Sequence, residues 1–305
     1  MRDVTPKSLV RLLAGLIDYA GLFPPAALPM PDAVARYARY RRGAHAWALG
    51  RFIIPAARLE EFARAFEAGG ESASRQSPWP LSVLADWPLP PTFEQVAAFA
   101  AAVPAARVES IECKVACVED LDALASAASG FETFAEMPLA PVPVDLLIRA
   151  GALGCAAKIR TGGTTPPAFP PTAAIDGFLA ACLGRGVPFK ATAGLHHPVR
   201  SPRPVSYEPG SACATMHGFL NVFLGAALLH AGGAGHHGVE ELLEETDPSA
   251  FVFEDDRAGW RGHWVTTAGI DAARRLARSF GSCSFEEPID DLTALALLHR
   301  TTPTT

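Results

Sequence analysis

Two lysines interrupt apolar, strand-like segments in the middle of the sequence. Lys158 lies in Ala-Ala-Lys-Ile-Arg and Lys190 in Phe-Lys-Ala-Thr, and a glycine follows each lysine four residues later. Glycine permits a tight turn and a close approach of the backbone to a ligand. If the segments are adjacent strands, about 4.8 Å apart, the two ammonium groups are neighbours and one loses its proton more readily. A neutral lysine amine is the nucleophile that forms a Schiff base with a carbonyl.

Charged residues also fall at or near the ends of the other predicted strands. Alternate residues of a strand share a face, so Glu112 points the same way as Lys114. Burying an unpaired charge is costly, whereas the C-terminal ends of barrel strands let charges pair and reach a substrate. The predicted catalytic residues are Lys158, Lys190, Glu112, Glu136 and Asp18, and the predicted substrate-binding residues are Arg51, Asp86, Lys114, Arg160, Thr161, His196, His197, His217, Asn221 and Ser282. The alternative is that these charged side chains only form ion pairs with one another inside the barrel and have no role in binding or catalysis.

The catalytic residues have distinct predicted roles. Lys158 attacks the carbonyl, while Lys190 lowers the pKa of Lys158 and helps to move protons. Glu112, with Glu136 or Asp18, is the general acid and base for carbon–carbon cleavage or dehydration.

The substrate-binding residues are predicted to hold an anionic group and to cover it. The anion contacts, to a group such as a carboxylate, are Arg51, Arg160 and His196. His196 and His197 directly follow the seventh predicted strand, where they suit metal binding, acid catalysis or anion contact. His217 and Asn221 share one face of a predicted helix, which favours a lid over the site.

A polar segment, 282–287, lies near the end of the chain. If it ends the eighth strand, the hydroxyl of Ser282 or of Ser284 can donate a hydrogen bond to a substrate oxyanion. A nucleophilic cysteine needs a base beside it, and the sequence identifies no histidine partner for Cys283. Cys283 is therefore predicted to be a packed thiol.

Short apolar segments alternate with Ala-rich helical stretches, which indicates βαβ units and a parallel sheet. The predicted strands are Gly15–Asp18, Ala46–Ile54, Leu81–Ala85, Val108–Val115, Thr133–Met137, Ala156–Arg160 and Pro188–Thr192. The clearest predicted helices are Ala57–Ala68, Phe93–Ala102, Leu121–Ala128, Val144–Ala150 and Thr172–Arg185. Seven strands before residue 195 predict a (β/α)8 (TIM) barrel, an α/β fold, in a single domain over 1–305.

The remaining residues exceed the needs of one strand and one helix, so 200–280 is predicted to be an elaborated region with a helix and a β-hairpin inserted before the last strand. The predicted elements are a loop at Arg200–Cys213, helices at Met216–Ala231, Val239–Glu245 and Ala268–Ser279, a Gly/His-rich turn at His230–Gly238, hairpin strands at Phe251–Glu254 and Trp260–Val265, and a last helix at Pro288–His299. The eighth strand is either Ser282–Phe285 or Ala250–Phe253.

The two lysine segments resemble the deoxyribose-phosphate aldolase family of class I aldolases. That family carries its Schiff-base lysine in a Lys-x-x-Thr-Gly strand, which Lys158, Thr161 and Gly162 match. Its second lysine lies on the next strand before a glycine pair, which Lys190 and Gly194 match loosely. The resemblance implies a barrel and a Schiff-base role for Lys158.

Weaker matches extend the resemblance over roughly residues 8–200. They are Leu16–Tyr19 for the first strand, Glu109–Glu112 for the fourth and Phe134–Glu136 for the fifth. Glu112 stands where the family has a proton-transferring Asp, and Tyr19 stands where it has His. The phosphate-binding glycine pair of the seventh strand is replaced by 193–197. The resemblance therefore implies nothing about the substrate.

Composition excludes several classes of protein. The 305 residues are 49% hydrophobic and 19% charged, which suits a large core and not a disordered chain. The net charge of −6 lacks the basic patch of a nucleic-acid binder, and no apolar window predicts a membrane span or signal peptide. The six cysteines form no CxxC pair or zinc-type spacing, which favours free thiols in a cytoplasmic compartment.

Three hypotheses for function follow. The leading one is a class I aldolase-like lyase that acts on a small, oxygenated, anionic carbonyl substrate through a covalent Schiff base, with no cofactor. The second is a barrel lyase, isomerase or hydrolase that uses Lys/Glu acid–base chemistry, with or without a divalent metal. The candidate metal ligands are His196, His197, Glu136 and Asp86. The third is a non-catalytic small-molecule binder. No nucleic-acid or membrane partner is expected, and assembly into a homo-oligomer is left open.

Overall fold

The computed structural model describes residues 5–71, 77–233 and 235–298. Within these ranges eight parallel strands close into a barrel and alternate with helices, which confirms the (β/α)8 prediction. The barrel strands are β1 (Ile17–Tyr19), β2 (Leu49–Pro55), β3 (Trp79–Ala85), β4 (Ala106–Lys114), β5 (Glu132–Glu136), β6 (Ala156–Arg160), β7 (Phe189–Thr192) and β13 (Ala277–Ser282). The helices around them are α1 (Lys7–Leu13), α2 (Met30–Arg42), α3 (Leu59–Ala68), α4 (Leu89–Ala102), α5 (Val118–Ala127), α6 (Val144–Leu153), α7 (Thr172–Arg185) and α11 (Glu286–Ala294).

An insertion lies between β7 and β13, as the sequence predicts. Residues of the predicted loop Arg200–Cys213 form one strand of an antiparallel hairpin, and the loop's last residue begins the other strand. The predicted two-stranded hairpin is a three-stranded sheet, because residues 257–259, between its two predicted strands, pair with both neighbours. The insertion comprises β8 (Ser201–Pro204), β9 (Cys213–Met216), α8 (Phe219–His230), α9 (His236–Glu244), β10 (Phe251–Phe253), β11 (Arg257–Trp260), β12 (His263–Thr266) and α10 (Thr267–Arg274). Every helix that the structure describes is too short or too polar to cross a membrane.

Both predicted positions of the eighth strand are wrong. β13 closes the barrel by pairing with β1 and β7, whereas Phe251–Phe253 belongs to the separate three-stranded sheet. The predicted helix Ala268–Ser279 ends at Arg274 instead. The next residues alternate as a strand does: Phe280 stacks on Phe219 of α8, with 5.2 Å between ring centroids, while Ser279 turns inward.

The barrel interior differs from the apolar layers usual in this fold. Side chains on the outer faces of the strands are apolar and join a core shared with the helices. Several inward positions are instead small or charged, among them Ser82, Ser110 and Glu112, all of which are buried. Buried polar groups need hydrogen-bond partners, so the polar side chains inside the barrel must bond to one another.

Candidate active site

Two lysines and three carboxylates form one buried cluster inside the barrel, the lysine–carboxylate network of Asp18, Glu112, Glu136, Lys158 and Lys190. The Nζ atom of Lys158 lies 2.8 Å from Glu112 Oε2 and 2.7 Å from Glu136 Oε2. Lys190 Nζ donates to Glu112 Oε1 at 2.6 Å and to Asp18 Oδ2 at 2.5 Å. The structure thus brings all five predicted catalytic residues together.

Parallel strand register explains this proximity. Glu136, Lys158 and Lys190 are partners in register across β5, β6 and β7. Partners in one row of a sheet point to the same face. Glu112 then occupies the space between the two ammonium groups, since each of its oxygens contacts a different lysine.

The electrostatics of the network differ from the sequence prediction. Burial disfavours the charged form of Lys158, but the Glu112 and Glu136 carboxylates outweigh burial and raise the pKa of Lys158 above its ordinary value. Burial also opposes ionisation of Glu112, yet the two lysines hold its pKa far below the usual range. The expectation of a lowered pKa for Lys158 is therefore wrong, because the carboxylates beside its amine, one of them shared with Lys190, favour the ammonium.

Hydroxyl groups fix the two most buried carboxylates of the network. Ser82 Oγ donates to Glu112 at 2.5 Å, and Ser110 Oγ donates to Ser82 Oγ at 2.6 Å. Ser279 Oγ donates to Asp18 at 2.7 Å. A Cβ atom at Gly50 would lie 2.1 Å from Asp18 Oδ1, so only glycine leaves room for this carboxylate. The small residues of the interior are therefore required by the charged ones.

Acid should destabilise the protein through Glu112. Its folded pKa is depressed, so the unfolded chain takes up the proton first as the pH falls. The stabilisation is complete above the unfolded value of about 4.3 and is lost as the pH drops below it. We expect the unfolding free energy of the wild type, measured in urea from pH 7 to pH 3, to fall more steeply than that of Glu112→Gln. The exposed Glu240→Gln is the matched control, and equal slopes for all three proteins would contradict this assignment.

A cavity of ≈470 Å³, the barrel-end cavity, opens beside the network. Lys158 and Glu112 line it, whereas Lys190, Asp18 and Glu136 do not. The other lining residues that could contact a ligand through polar groups include Arg160, Thr164, Thr165, Thr192, His196, His197, Ser206, Tyr207, Cys283 and Glu287. A volume of this order suits a small-molecule ligand.

Two backbone segments approach closely at the edge of the cavity. A Cβ atom at Gly162 would lie 2.8 Å from Gly194 Cα, and Gly194 has a φ of +76°, which favours glycine. Thr161 Oγ donates to Ala193 O at 2.5 Å and so joins the same two loops. The Thr161 hydroxyl is thereby occupied by backbone and does not line the cavity.

Three charged residues predicted to bind substrate lie outside the cavity. Arg51 contacts Glu109 at 3.1 Å and Glu132 at 2.7 Å. Glu132 is the first residue of β5, which places Arg51 toward the N-terminal end of the barrel, away from the carboxyl ends of the strands. Asp86 and Lys114 are exposed near the ends of β3 and β4 and are not among the cavity residues. Of the predicted arginine contacts, the structure brings Arg160 to the cavity.

The predicted lid residues hold the insertion together instead. His217 Nε2 lies 2.8 Å from Pro170 O, and Asn221 Nδ2 donates to Leu242 O at 2.7 Å and Glu245 O at 2.9 Å. Both side chains are buried and do not line the cavity. Their hydrogen bonds are used within the protein. Asn221 joins α8 to α9 and the residue after it, whereas His217 precedes α8, so the two side chains do not share a helix face.

Sequence reasoning missed a second polar group on the cavity wall, the Cys283 cluster of His196, Tyr207, Cys283 and Glu287. The Nδ1 atom of His196 lies 3.9 Å from Cys283 Sγ and 3.3 Å from Glu287 Oε2. Tyr207 OH lies 3.6 Å from Cys283 Sγ and donates to Glu287 at 3.3 Å. Cys283 therefore has a histidine beside it, which the sequence pattern did not identify. Ser282 Oγ, which donates to Ser284 O at 2.6 Å, lies 3.2 Å from His196 Nδ1 and so borders this cluster.

A correct prediction of the eighth strand would have identified Cys283 as a candidate functional residue. Because β13 ends at Ser282, Cys283 is the first residue after the carboxyl end of a barrel strand, where functional side chains of this fold lie. Placing the strand at Ser282–Phe285 instead puts Cys283 inside it. The partner His196 is 87 residues away in sequence, so local pattern alone could not identify the contact.

The pKa values of the two adjacent histidines are shifted in opposite directions. Burial disfavours the imidazolium of His196, but Cys283 and Glu287 outweigh burial and raise its pKa to about 10. For His197, burial prevails over the Asp291 carboxylate 2.6 Å away and lowers the pKa. Within the described ranges, no three His, Cys, Asp or Glu side chains gather in a way that could hold a metal ion.

Comparison with known proteins does not assign a family. Neither a family model nor a curated protein matches the chain. The resemblance to deoxyribose-phosphate aldolases stays a prediction. Because one barrel fold hosts many chemistries, function has to rest on the residues of the site.

Proposed function

We propose that this protein is a lyase of the class I aldolase type, in which Lys158 forms a Schiff base with a small carbonyl compound. The observation that carries the proposal is the position of Lys158. Lys158 lines the barrel-end cavity, and its amine touches two carboxylates, at 2.8 Å and 2.7 Å. A nucleophilic amine next to a general base is the arrangement that covalent catalysis on carbonyls requires.

Glu136 and Glu112 divide the proton chemistry. Lys158 is an ammonium at rest and must lose a proton before it attacks; Glu136, 2.7 Å away, is placed to take it. Attack on the carbonyl carbon and loss of water then leave a cationic iminium where the ammonium was. The same two carboxylates stabilise both cations, so the raised pKa of Lys158 also reflects an environment suited to the iminium. Glu112, which lines the cavity, is the acid and base for the substrate.

The substrate class follows from size and charge. The cavity volume of ≈470 Å³ suits a small molecule. Arg160 lines the cavity with its side chain half exposed, and its weak contact to Glu136, at 3.4 Å, leaves it able to engage a ligand. His196 also lines the cavity, but Glu287 lies 3.3 Å from it and balances its charge, so Arg160 is the cation proposed to hold the ligand. These features suit an anionic carbonyl compound, such as an oxo acid or a phosphorylated hydroxyaldehyde.

A second function also has a specific observation in its favour. The raised pKa of Lys158 suits a barrel enzyme in which the lysine stays protonated and acts as a general acid or electrostatic clamp. Such an enzyme would need Lys158 for activity but would form no imine.

Reductive trapping separates the two functions. The sequence contains four lysines, Lys7, Lys114, Lys158 and Lys190, so adducts are readily assigned. Incubation with pyruvate, glyceraldehyde or dihydroxyacetone in the presence of sodium borohydride is expected to give a single reduced adduct in the whole-protein mass for at least one compound. Absence of an adduct with oxo acids, hydroxyaldehydes and hydroxyketones alike, at any pH from 6 to 10, would rule out the Schiff-base function.

The rate of trapping should rise with pH and respond to Glu136. The reactive amine is a minor form below the raised pKa of Lys158, so its fraction grows as the pH increases. Removing the neighbouring charge in Glu136→Gln should move the pH profile toward acid by about one to three units. The matched control is Glu132→Gln on the same strand, which pairs with Arg51 and should leave the profile unchanged. A profile that stays in place in Glu136→Gln would show that Glu136 does not control the Lys158 proton.

A further inference from the structure

We propose that Cys283 is a second nucleophile of the barrel-end cavity, held against His196, and that it captures aldehydes reversibly as thiohemiacetals. This inference goes beyond the Schiff-base function and does not depend on Lys158. It concerns a different pair of strands, since Cys283 follows β13 and His196 follows β7.

The geometry singles out Cys283 among the cysteines. Cys113, Cys155 and Cys182 are buried, and burial raises the pKa of each thiol. In the described part of the chain, only Cys283 has an imidazole nitrogen beside its sulfur, at 3.9 Å, together with a tyrosine hydroxyl at 3.6 Å. It is 4% exposed and lines the cavity, so a reactant would reach it through the cavity.

The surroundings favour the thiolate. Burial opposes ionisation, but the adjacent His196 imidazolium outweighs burial and lowers the pKa of Cys283. Glu287 competes for the same imidazolium, since its Oε2 atom lies 3.3 Å from His196 Nδ1. The groups that face this cluster are His196 and His197 after β7, Arg203 on β8, Tyr207 in the β8–β9 hairpin, Glu287 and Asp291 on or near α11, and Tyr19 on β1.

Addition of this thiolate to an aldehyde needs no further reactant. The sulfur forms a bond to the carbonyl carbon, and the π electron pair of the carbonyl moves to its oxygen. The resulting alkoxide takes the Nδ1 proton of His196, which gives a neutral thiohemiacetal and a neutral imidazole. Nothing leaves and nothing is oxidised, so reversal restores the thiolate, the imidazolium and the aldehyde. Ketones add thiolates far less readily, which makes an aldehyde the expected ligand.

Alkylation with iodoacetamide tests the activated thiol. Cys117 and Cys213 of the same chain are exposed, so they serve as internal references for thiols that the reagent reaches from solvent. Peptide mapping over pH 6 to 9 should show the rate at Cys283, relative to Cys117, rising about tenfold as the pH falls from 8 to 6. In His196→Asn this ratio should become independent of pH. A constant ratio in the wild type, an unchanged profile in His196→Asn, or a Cys283 that resists alkylation throughout would each overturn the proposal.

Protection by propanal tests the ligand. In Lys158→Arg, which keeps the charge of the network but cannot form a Schiff base, propanal should slow alkylation of Cys283 severalfold and leave Cys117 unaffected. Acetone and propanoate are the matched non-aldehyde controls and should not protect. Equal rates with and without propanal would overturn aldehyde capture. Conversely, Cys283→Ser should still give the borohydride adduct at Lys158, so failure of one proposal is distinguishable from failure of the other.

Discussion

Replacing Lys158 by methionine is expected to abolish reductive trapping and to lower turnover of the cognate carbonyl substrate by about a thousandfold or more. Methionine preserves most of the side-chain length but supplies no amine, so no imine forms. Glu112 retains Lys190 as a partner at 2.6 Å, which keeps half of the network paired. Borohydride trapping and whole-protein mass measure the first effect, and steady-state kinetics on the trapped compound measure the second.

A matched lysine variant shows that the effect belongs to this position. Lys114 is exposed on β4 and does not line the cavity. Lys114→Met should therefore trap and turn over substrate as the wild type does. Retention of the adduct in Lys158→Met, or its loss in Lys114→Met, would place the reactive amine elsewhere.

Replacing Lys190 by methionine is expected to act on stability, lowering the unfolding free energy by about 3–5 kcal/mol. Lys190 is 0% exposed and is paired with both Asp18 and Glu112. Removing the ammonium leaves two buried carboxylates with one lysine fewer, and an uncompensated buried charge is costly. Urea unfolding at pH 7 measures the difference, with Lys114→Met as a surface control expected within about 0.5 kcal/mol of wild type.

A second substitution should restore part of the unfolding free energy that Lys190→Met loses. Asp18→Asn removes the negative charge that Lys190→Met leaves unpaired, so the double variant should be more stable than the sum of the two single changes implies. Strict additivity would contradict direct coupling between Asp18 and Lys190. Where Lys190→Met stays folded, it should still form the adduct at Lys158, because Lys190 does not line the cavity.

The seven strands before residue 195 were predictable because short apolar segments alternate with helical stretches there, and the eighth strand was not predictable in this way. Most of these strands are apolar segments that Gly or Pro follows. β13 lacks that pattern. Its inward Ser279 donates to the Asp18 carboxylate, and a Cβ atom at its Gly281 would lie 3.1 Å from Ile53 Cδ1. Ala268–Ser279 carries apolar residues at helical spacing, and only closure of the barrel decides that its last residues form a strand.

The alternation of side chains between the two faces of a strand also explains which site residues were predictable. It placed Lys158 and Glu112 on inward faces, and the barrel brought them into contact. It could not show that Glu112 lies between two lysines, which reverses the expected effect on the pKa of Lys158. Nor could it join Tyr207 to Glu287, since these residues lie on a hairpin loop and a helix that meet only in the folded chain.

The most direct test of the central claim is to map the reduced adduct in the wild type. Modification of Lys158 blocks tryptic cleavage there, so peptide 150–158 should be replaced by a mass-shifted peptide 150–160. We expect the adduct on Lys158 alone, with Lys7, Lys114 and Lys190 unmodified in the same digest. An adduct on Lys190, or one distributed over the exposed lysines with Lys158 unmodified, would contradict Schiff-base chemistry at this site.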